Sequence, residues 1–339
     1  MGTKGKRLFD GEQYEVLAAV YSKAGTEVRN DAVGAYRTKT TKAGDCLYIN
    51  CYPLIGTEAQ RRQREKLEEL KDGRERAVQA KYARYNNARR VRAFDMLVEA
   101  NIFPGDLHVC LTYEYDNSMT MDYGRQEYRD REDARREVRN WLGRVKRLLK
   151  KNGCDLRELR WILVTVTRKS TGDDREVRSP KHHHHMLLHG VPEQLRNEIE
   201  RLWPFGFANA DRVQRGDKSL GALSGYVARQ EGAANGDHSR GERSFSTSRN
   251  IIRPEVRTSD ARISRRRVAQ IAADVRANAP EVFGKIYPEY RLVEEPKIMI
   301  SDFVAGAYIW AKLIRRQDGK KGSDDRRRRK GAYECGSGS

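Results

Sequence analysis

The sequence predicts an α+β fold, a central antiparallel sheet with helices packed on it. Two observations carry that prediction. From residue 104 onward, short β-branched runs alternate with amphipathic helical stretches in the order β-α-β-β-α-β-α, an order that layers helices on one face of an antiparallel sheet. The 339 residues are 38% hydrophobic, enough to bury a sizeable core in one large domain or two ordinary ones. A third observation excludes alternatives. No apolar run approaches the ~20 residues that cross a bilayer, and the amino terminus lacks the apolar stretch of a secretory signal. No membrane partner and a cytoplasmic protein are therefore expected.

Residues 107–115 (LHVCLTYEY) read as a strand with Leu107, Val109, Leu111 and Tyr113 on one face. Residues 132–151 read as an amphipathic helix, striped by Val138, Trp141, Leu142, Val145, Leu148 and Leu149. Residues 159–168 (LRWILVTVTR) form a second, strongly β-branched strand. A polar loop with Gly172, Asp173 and Asp174 leads to a third strand over 183–189. Residues 192–203 are helical, with Pro192 near the first turn. A short β-rich piece over 207–213 precedes a helix over 220–230.

The flanks are less regular. Residues 45–53 (DCLYINCYP) look like a strand ended by Pro53. Residues 58–100 are a highly charged helical stretch broken near Asp72-Gly73, with Val91, Phe94, Leu97 and Val98 on one face; most of it reads as a solvated helix. Residues 264–277 are helical and basic, and the apolar pieces 297–303 and 305–314 should pack back on the core. The tail, with its run 326–330 (RRRRK), has no apolar periodicity and is expected to be disordered. The expected division is an N-terminal strand and charged helical extension (1–103), a core domain (104–235), a C-terminal extension on that core (236–316) and a basic tail (317–339).

Charge points to the partner. There are 67 Lys and Arg against 48 Asp and Glu, a balance of +19, and nucleic acid is the commonest polyanion for such a surplus to meet. Solubility, or basic tails on an unrelated fold, would give the same number. Arg326, Arg327, Arg328 and Arg329 of the tail, Arg265, Arg266 and Arg267 of the basic helix, and Lys181 are the candidate DNA-binding residues. Five scattered cysteines, never spaced C-x-x-C, argue against a disulfide framework and a cysteine zinc site.

Five of the seven histidines fall between His182 and His189. Side chains alternate along a strand, so His183 and His185 project together and can grip one metal ion, while His184 points the other way. A four-histidine run also reads as an affinity tag, but this one runs directly into Met186-Leu187-Leu188, an apolar strand tail. About 40 residues on, Tyr226 and Arg229 stand three apart on the helix over 220–230, hence on one face. A phenol can attack a DNA phosphodiester if its proton is removed and the phosphate charge is stabilised. Tyr113 reads as a sheet residue. Trp203 reads as packing, with base stacking as the sharper alternative, and His189 as structural.

Several pieces together resemble the HUH-type rolling-circle replication initiators, above all the replication-associated proteins of bacterial plasmids, phages and integrative elements. They are Leu111-Thr112-Tyr113, the string from His183 to Leu188, Trp203 with Gly206, and Gly225-Tyr226-Val227-Ala228-Arg229. The stretches 39–53, 100–106 (ANIFPGD) and 248–254 (SRNIIRP) are similar to the same group. The resemblance covers about residues 36–310. It implies an HUH core and a single-tyrosine DNA nickase-ligase. Tyr226 would form a 5′-phosphotyrosine link at a single-stranded or hairpin origin, and His183 and His185 would hold Mg²⁺ or Mn²⁺ against the scissile phosphate. The host replication helicase and polymerase would be its partners in a bacterial cytoplasm.

Two departures stand out. Relatives carry a glutamate on the strand before the histidine pair, where this chain has Val166. The third ligand would then come from elsewhere, with His182, Asp173, Asp174 and Glu176 as candidates. Arg229 stands where a lysine is usual, and arginine stabilises charge without shuttling protons. A conjugative relaxase or single-strand transposase of the same chemistry, and a non-catalytic DNA-binding protein on the same scaffold, remain the alternatives. No Walker-type loop is present, so a fused helicase is not expected.

Overall fold

The computed structural model describes residues 11–23, 27–72, 76–114, 131–168, 181–214, 220–221, 223–225 and 245–316. They form an α+β protein with antiparallel sheets, divided by contacts into two compact units. The first combines residues up to 100 with those from 253; the second holds 101–252.

The first unit opens with α1 (Gly11–Tyr21), the hairpin strands β1 (Val33–Ala43) and β2 (Cys46–Ile55), then α2 (Thr57–Lys71) and α3 (Arg76–Asn101). The expected break in the charged helical stretch is present, with Asp72 capping α2. Pro53 does not end its strand: β2 runs on to Ile55, with Pro53 paired to Tyr36 of β1. The other neighbour of β2 reaches only Cys51, so at Pro53 no ladder bond is lost on that side.

The second unit follows as β3 (Leu107–Thr112), α4 (Arg131–Lys151), β4 (Arg160–Arg168), β5 (Lys181–His189), α5 (Arg196–Arg201), β6 (Ala208–Arg212) and β7 (Ser246–Thr247). Its sheet has the order β6-β3-β5-β4-β7. The apolar sets read from the sequence converge on one face. Leu107, Val109 and Leu111 of β3, with Met186 and Leu188 of β5, pack with Val138, Trp141 and Val145 of α4 and with Ile199 of α5. Trp141 Nε1 donates to the Ile199 carbonyl and ties the two helices together. Two stretches singled out by the resemblance close the ends of this unit. Asn101 Nδ2 donates to the Ile252 carbonyl and Ile252 N donates to Asn101 Oδ1, both at 2.8 Å.

The chain then returns to the first unit with β8 (Glu255–Ser259), α6 (Arg265–Ala273), α7 (Val275–Ile286), β9 (Tyr290–Leu292), β10 (Lys297–Ile300) and β11 (Ala307–Arg315). The expected single helix over 264–277 is broken at Asp274, whose extended backbone and side chain cap α7 by accepting from Ala277 N. The segment from 253, expected to extend the 104–235 core, instead supplies strands to the sheet of β1 and β2, in the order β10-β11-β2-β1-β8 with β9 on β11. Strand β2, apolar on both sides, needs β11 along its second edge. Helices α1, α2 and α3 pack on one face of this sheet, and α6 and α7 on the other. Inside it, Lys312 of β11 is 4% exposed and donates to Asp95 Oδ2 at 2.6 Å and to Glu99 Oε1 at 3.3 Å. Tyr48 OH donates to the same Asp95 oxygen.

Candidate functional site

The histidine strand is β5, and its register fixes where each imidazole stands. His183 lies between Thr112 of β3 and Val166 of β4; His185 lies between Cys110 and Val164. Both therefore share one face of the sheet, as their spacing predicts. His184 falls on the opposite, helix-packed face and is fully buried. There it meets Tyr113 OH at Nε2 (3.2 Å) and Thr165 Oγ1 at Nδ1 (3.0 Å). Burial, reinforced by the neighbouring histidines, drives its pKa down to about 3, so this imidazole is a neutral core group.

The face of His183 and His185 holds a residue that the sequence reading did not select. His108 of β3 lies across from Leu187, one diagonal step from His185. His108 Nε2 and His185 Nδ1 are 3.1 Å apart, and the rings stack at 5.3 Å. The His183 and His185 rings stand 5.1 Å apart and nearly perpendicular. Directly across from His108 on β6 is Asp211, which accepts from Asn209 Nδ2 at 2.7 Å. Burial lowers the His108 pKa and Asp211 opposes that shift. A signal for His108 was present: in LHVCLT, His108, Cys110 and Thr112 alternate with Leu107, Val109 and Leu111, marking a polar face behind an apolar one.

The donor chemistry suits a divalent metal in part. Two nitrogens bound at right angles to one ion stand about 3 Å apart, given metal–nitrogen bonds near 2.1 Å, and the His108–His185 pair has that separation. Among the described residues, however, no three or more His, Cys, Asp or Glu side chains converge as a metal-binding group. His182 cannot supply the missing ligand: it pairs with Thr167 and shares the face of His184, because strand side chains alternate. Asp173, Asp174 and Glu176 lie outside the described residues. Val166, where the resemblance would place a glutamate, is fully buried directly across from His183; a carboxylate there would stand beside that imidazole.

Tyr226 and Arg229 also lie outside the described residues. The helical turn that leads into them is described: Leu220 and Ser224 are buried, and Ser224 N donates to the Leu220 carbonyl. Lys181 opens β5 opposite Arg168. His189 is structural, as expected, with Nδ1 2.9 Å from Asp106 Oδ1 and an edge contact to Phe103.

The aromatic end of the site is arranged otherwise than the base-stacking option for Trp203 requires. Trp203 is buried with Tyr113, His184 and Phe205, and its Nε1 donates to the Thr112 carbonyl. Phe207 is the exposed ring, at 69%. Its carbonyl accepts from Thr112 N at 2.8 Å and from Thr112 Oγ1 at 3.2 Å, which continues the β3–β6 register by one pair and puts Phe207 in the cross-strand row of Thr112 and His183. Gly206 permits this: at φ 149 it lies so close to the Thr112–Glu114 backbone that a Cβ would overlap it.

Of the remaining candidates, Arg265 is used by the fold, its Nη1 donating to the Val33 carbonyl at 3.0 Å. Arg266 is exposed. Arg267 lines a cavity with Arg262 and Lys285. Arg326, Arg327, Arg328 and Arg329 lie outside the described residues. Comparison of the chain with protein-family models, with curated proteins and with solved structures finds no match.

Proposed function

We propose that the chain is a metal-dependent, single-tyrosine DNA nickase-ligase with an HUH core, acting on single-stranded or hairpin DNA at a replication origin. One observation carries this reading: His183 and His185 share a sheet face beside His108, while the intervening His184 is withdrawn into the core. A tag or a histidine-rich loop has no reason for such a division of labour.

His183 and His185, with His108 at hydrogen-bond distance from His185, would hold Mg²⁺ or Mn²⁺. When bound, the ion supplies Lewis-acid polarisation of the scissile phosphate. The chain's own residues do the rest. The Tyr226 phenol loses its proton and its oxygen bonds to phosphorus; the bond from phosphorus to the 3′ oxygen breaks, and that oxygen leaves as the 3′-hydroxyl after taking a proton. Arg229 keeps its charge throughout and stabilises the phosphate oxygens. The phosphotyrosine bond conserves the energy of the phosphodiester, so strand transfer or religation runs by the reverse attack. The free 3′-hydroxyl then serves the host polymerase, and the host helicase opens the duplex ahead of it.

Incubation with single-stranded origin DNA and Mn²⁺ should yield a covalent protein–DNA adduct on denaturing gels, and Tyr226→Phe should abolish it. Simultaneous His183→Ala and His185→Ala should remove the adduct and leave salt-sensitive binding largely intact. Val166 favours one second reading, a DNA-binding protein on the same scaffold that no longer cleaves. Binding by the wild-type chain with no adduct under any divalent metal would select it.

A further inference from the structure

Ser259, Ala261, Arg262, Arg267, Lys285 and Ile286 line a cavity of about 390 Å³ in the first unit. Three of these residues are cationic, one offers a hydroxyl, and none is a carboxylate. The nearest acid along the chain, Asp260, is already taken: Arg37 grips both of its oxygens at 2.7 Å. Glu281 pairs with Lys285 on the exposed surface of α7, where such pairs contribute little. Arg262 and Arg267 form no ion pair among the described residues.

The cations are held in place from behind. The Arg262 guanidinium lies 5.6 Å over the Tyr287 ring, and Arg267 Nη1 donates to the Arg262 carbonyl at 3.3 Å. Arg267 stands in the first turn of α6, its backbone N–H donating to the Ser264 hydroxyl that caps the helix. That end of the helix also favours anions. Apart from Ala261 and Ile286, the lining is polar or charged and carries no aromatic ring against which a base could stack. Such a site reads charge and not base identity, which is how proteins contact a nucleic-acid backbone.

We propose that this cleft binds a phosphodiester of nucleic acid, giving the first unit its own contact with DNA through Arg262, Arg267 and Lys285. It rests on the reading of the chain as a DNA-acting protein and is independent of the tyrosine chemistry. Of the three consecutive arginines singled out by the sequence, this role falls to Arg267 alone. Its partners Arg262 and Lys285 come from a loop and from the end of α7, 23 residues apart in the chain.

The experiment is fluorescence anisotropy of the full chain with a labelled single-stranded oligonucleotide over a series of salt concentrations, without divalent metal. Neutralising Arg262, Arg267 and Lys285 together to Gln should make the slope of log K against log salt shallower by about 0.7, the contribution of one phosphate contact on a single strand. A control that removes the same charge from exposed positions of α3 (Lys81→Gln, Arg84→Gln, Arg89→Gln) should change the slope by less than half as much. Equal losses in the two variants, or none in the first, would overturn the site. Stabilisation by millimolar inorganic phosphate, lost in the cleft variant whose oligonucleotide slope is unchanged, would overturn the nucleic-acid assignment in favour of a small phosphorylated ligand. Adduct formation with Mn²⁺ is scored separately: a wild type that forms no adduct, together with the expected slope change, sinks the nickase reading and leaves the cleft standing.

Discussion

The two units place polar groups inside an antiparallel sheet in opposite ways. The first is covered by helices on both faces, and its buried polar centre is ionic: Lys312 between Asp95 and Glu99, with Tyr48 alongside. The second packs α4 and α5 on one face, and a polar group fully buried there is a neutral imidazole, His184, held by Tyr113 and Thr165. A sheet enclosed on both sides must satisfy every inward side chain where it stands. In the second sheet alternation gives neighbouring residues of one strand to two different tasks, and β5 does so with histidine in both. His184 contributes to the core, while His183 and His185 face the other way.

The contrast can be attacked at its ionic end first. Lys312→Met leaves two carboxylates facing each other without their cation, and should cost about 3–5 kcal/mol. Urea denaturation followed by hydrogen exchange should place that loss in the first unit. Neutralising Asp95 and Glu99 to Asn and Gln in the same chain should recover much of it. A Lys312→Met protein of wild-type stability would show that the cluster is not what holds α3 to β11.

A smaller effect separates the units by pH. His184 has a pKa of about 3 when folded against roughly 6.5 when unfolded, so between those values the unfolded chain binds the extra proton. Its contribution is fully present above about 6.5 and is lost as pH falls toward 3, by a few kcal/mol at most. The Lys312 pKa is shifted the other way: burial lowers it, but Asp95 and Glu99 more than compensate and the net shift is upward. That contribution is present below about 10.5 and fades as pH rises beyond it. Mild acid should therefore loosen the second unit first and alkali the first unit, as read by exchange rates in each. Identical profiles in the two units would refute the contrast.

The smallest effect concerns the face opposite α4 and α5. Phe207→Ala should leave stability within about 0.5 kcal/mol, because the ring is exposed. It should weaken single-stranded DNA binding by about 1 kcal/mol, with Phe207→Trp restoring it. Unchanged affinity would mean that this ring takes no part in binding.

These differences also explain what the sequence discloses. The second unit is legible because its signals are local. The stripe from Val138 to Leu149, the alternation in β3 and the β-branched run in β4 each specify an element without reference to distant chain. His184 is legible for the same reason, since alternation alone turns it away from its neighbours. The first sheet is legible only in pieces: β2 reads as a strand, but β1 is a Thr- and Lys-rich strand whose partner β8 lies more than 200 residues away, as the pairing of Thr40 with Arg257 illustrates. No window of sequence contains that pairing. For His108 the alternation in β3 marks only a polar face; its meaning depends on β3 lying beside β5, which no local window shows.

The paired hydrogen bonds between Asn101 and Ile252 have a consequence for how the protein is made. They hold together the two ends of a unit that is inserted into another, so the ribosome must finish the inserted unit before it delivers the strands that complete the first. At ~5–20 residues per second, β1 and β2 wait on the order of ten seconds or more for β8 and β11. During that interval the hairpin has both long edges unpaired, one of them the apolar β2, and is open to capture by a neighbouring nascent chain. The inserted unit, closed on itself by Asn101, can fold while the hairpin waits. The order of translation thus makes the first unit, for all its buried charge, the later and more vulnerable of the two to assemble.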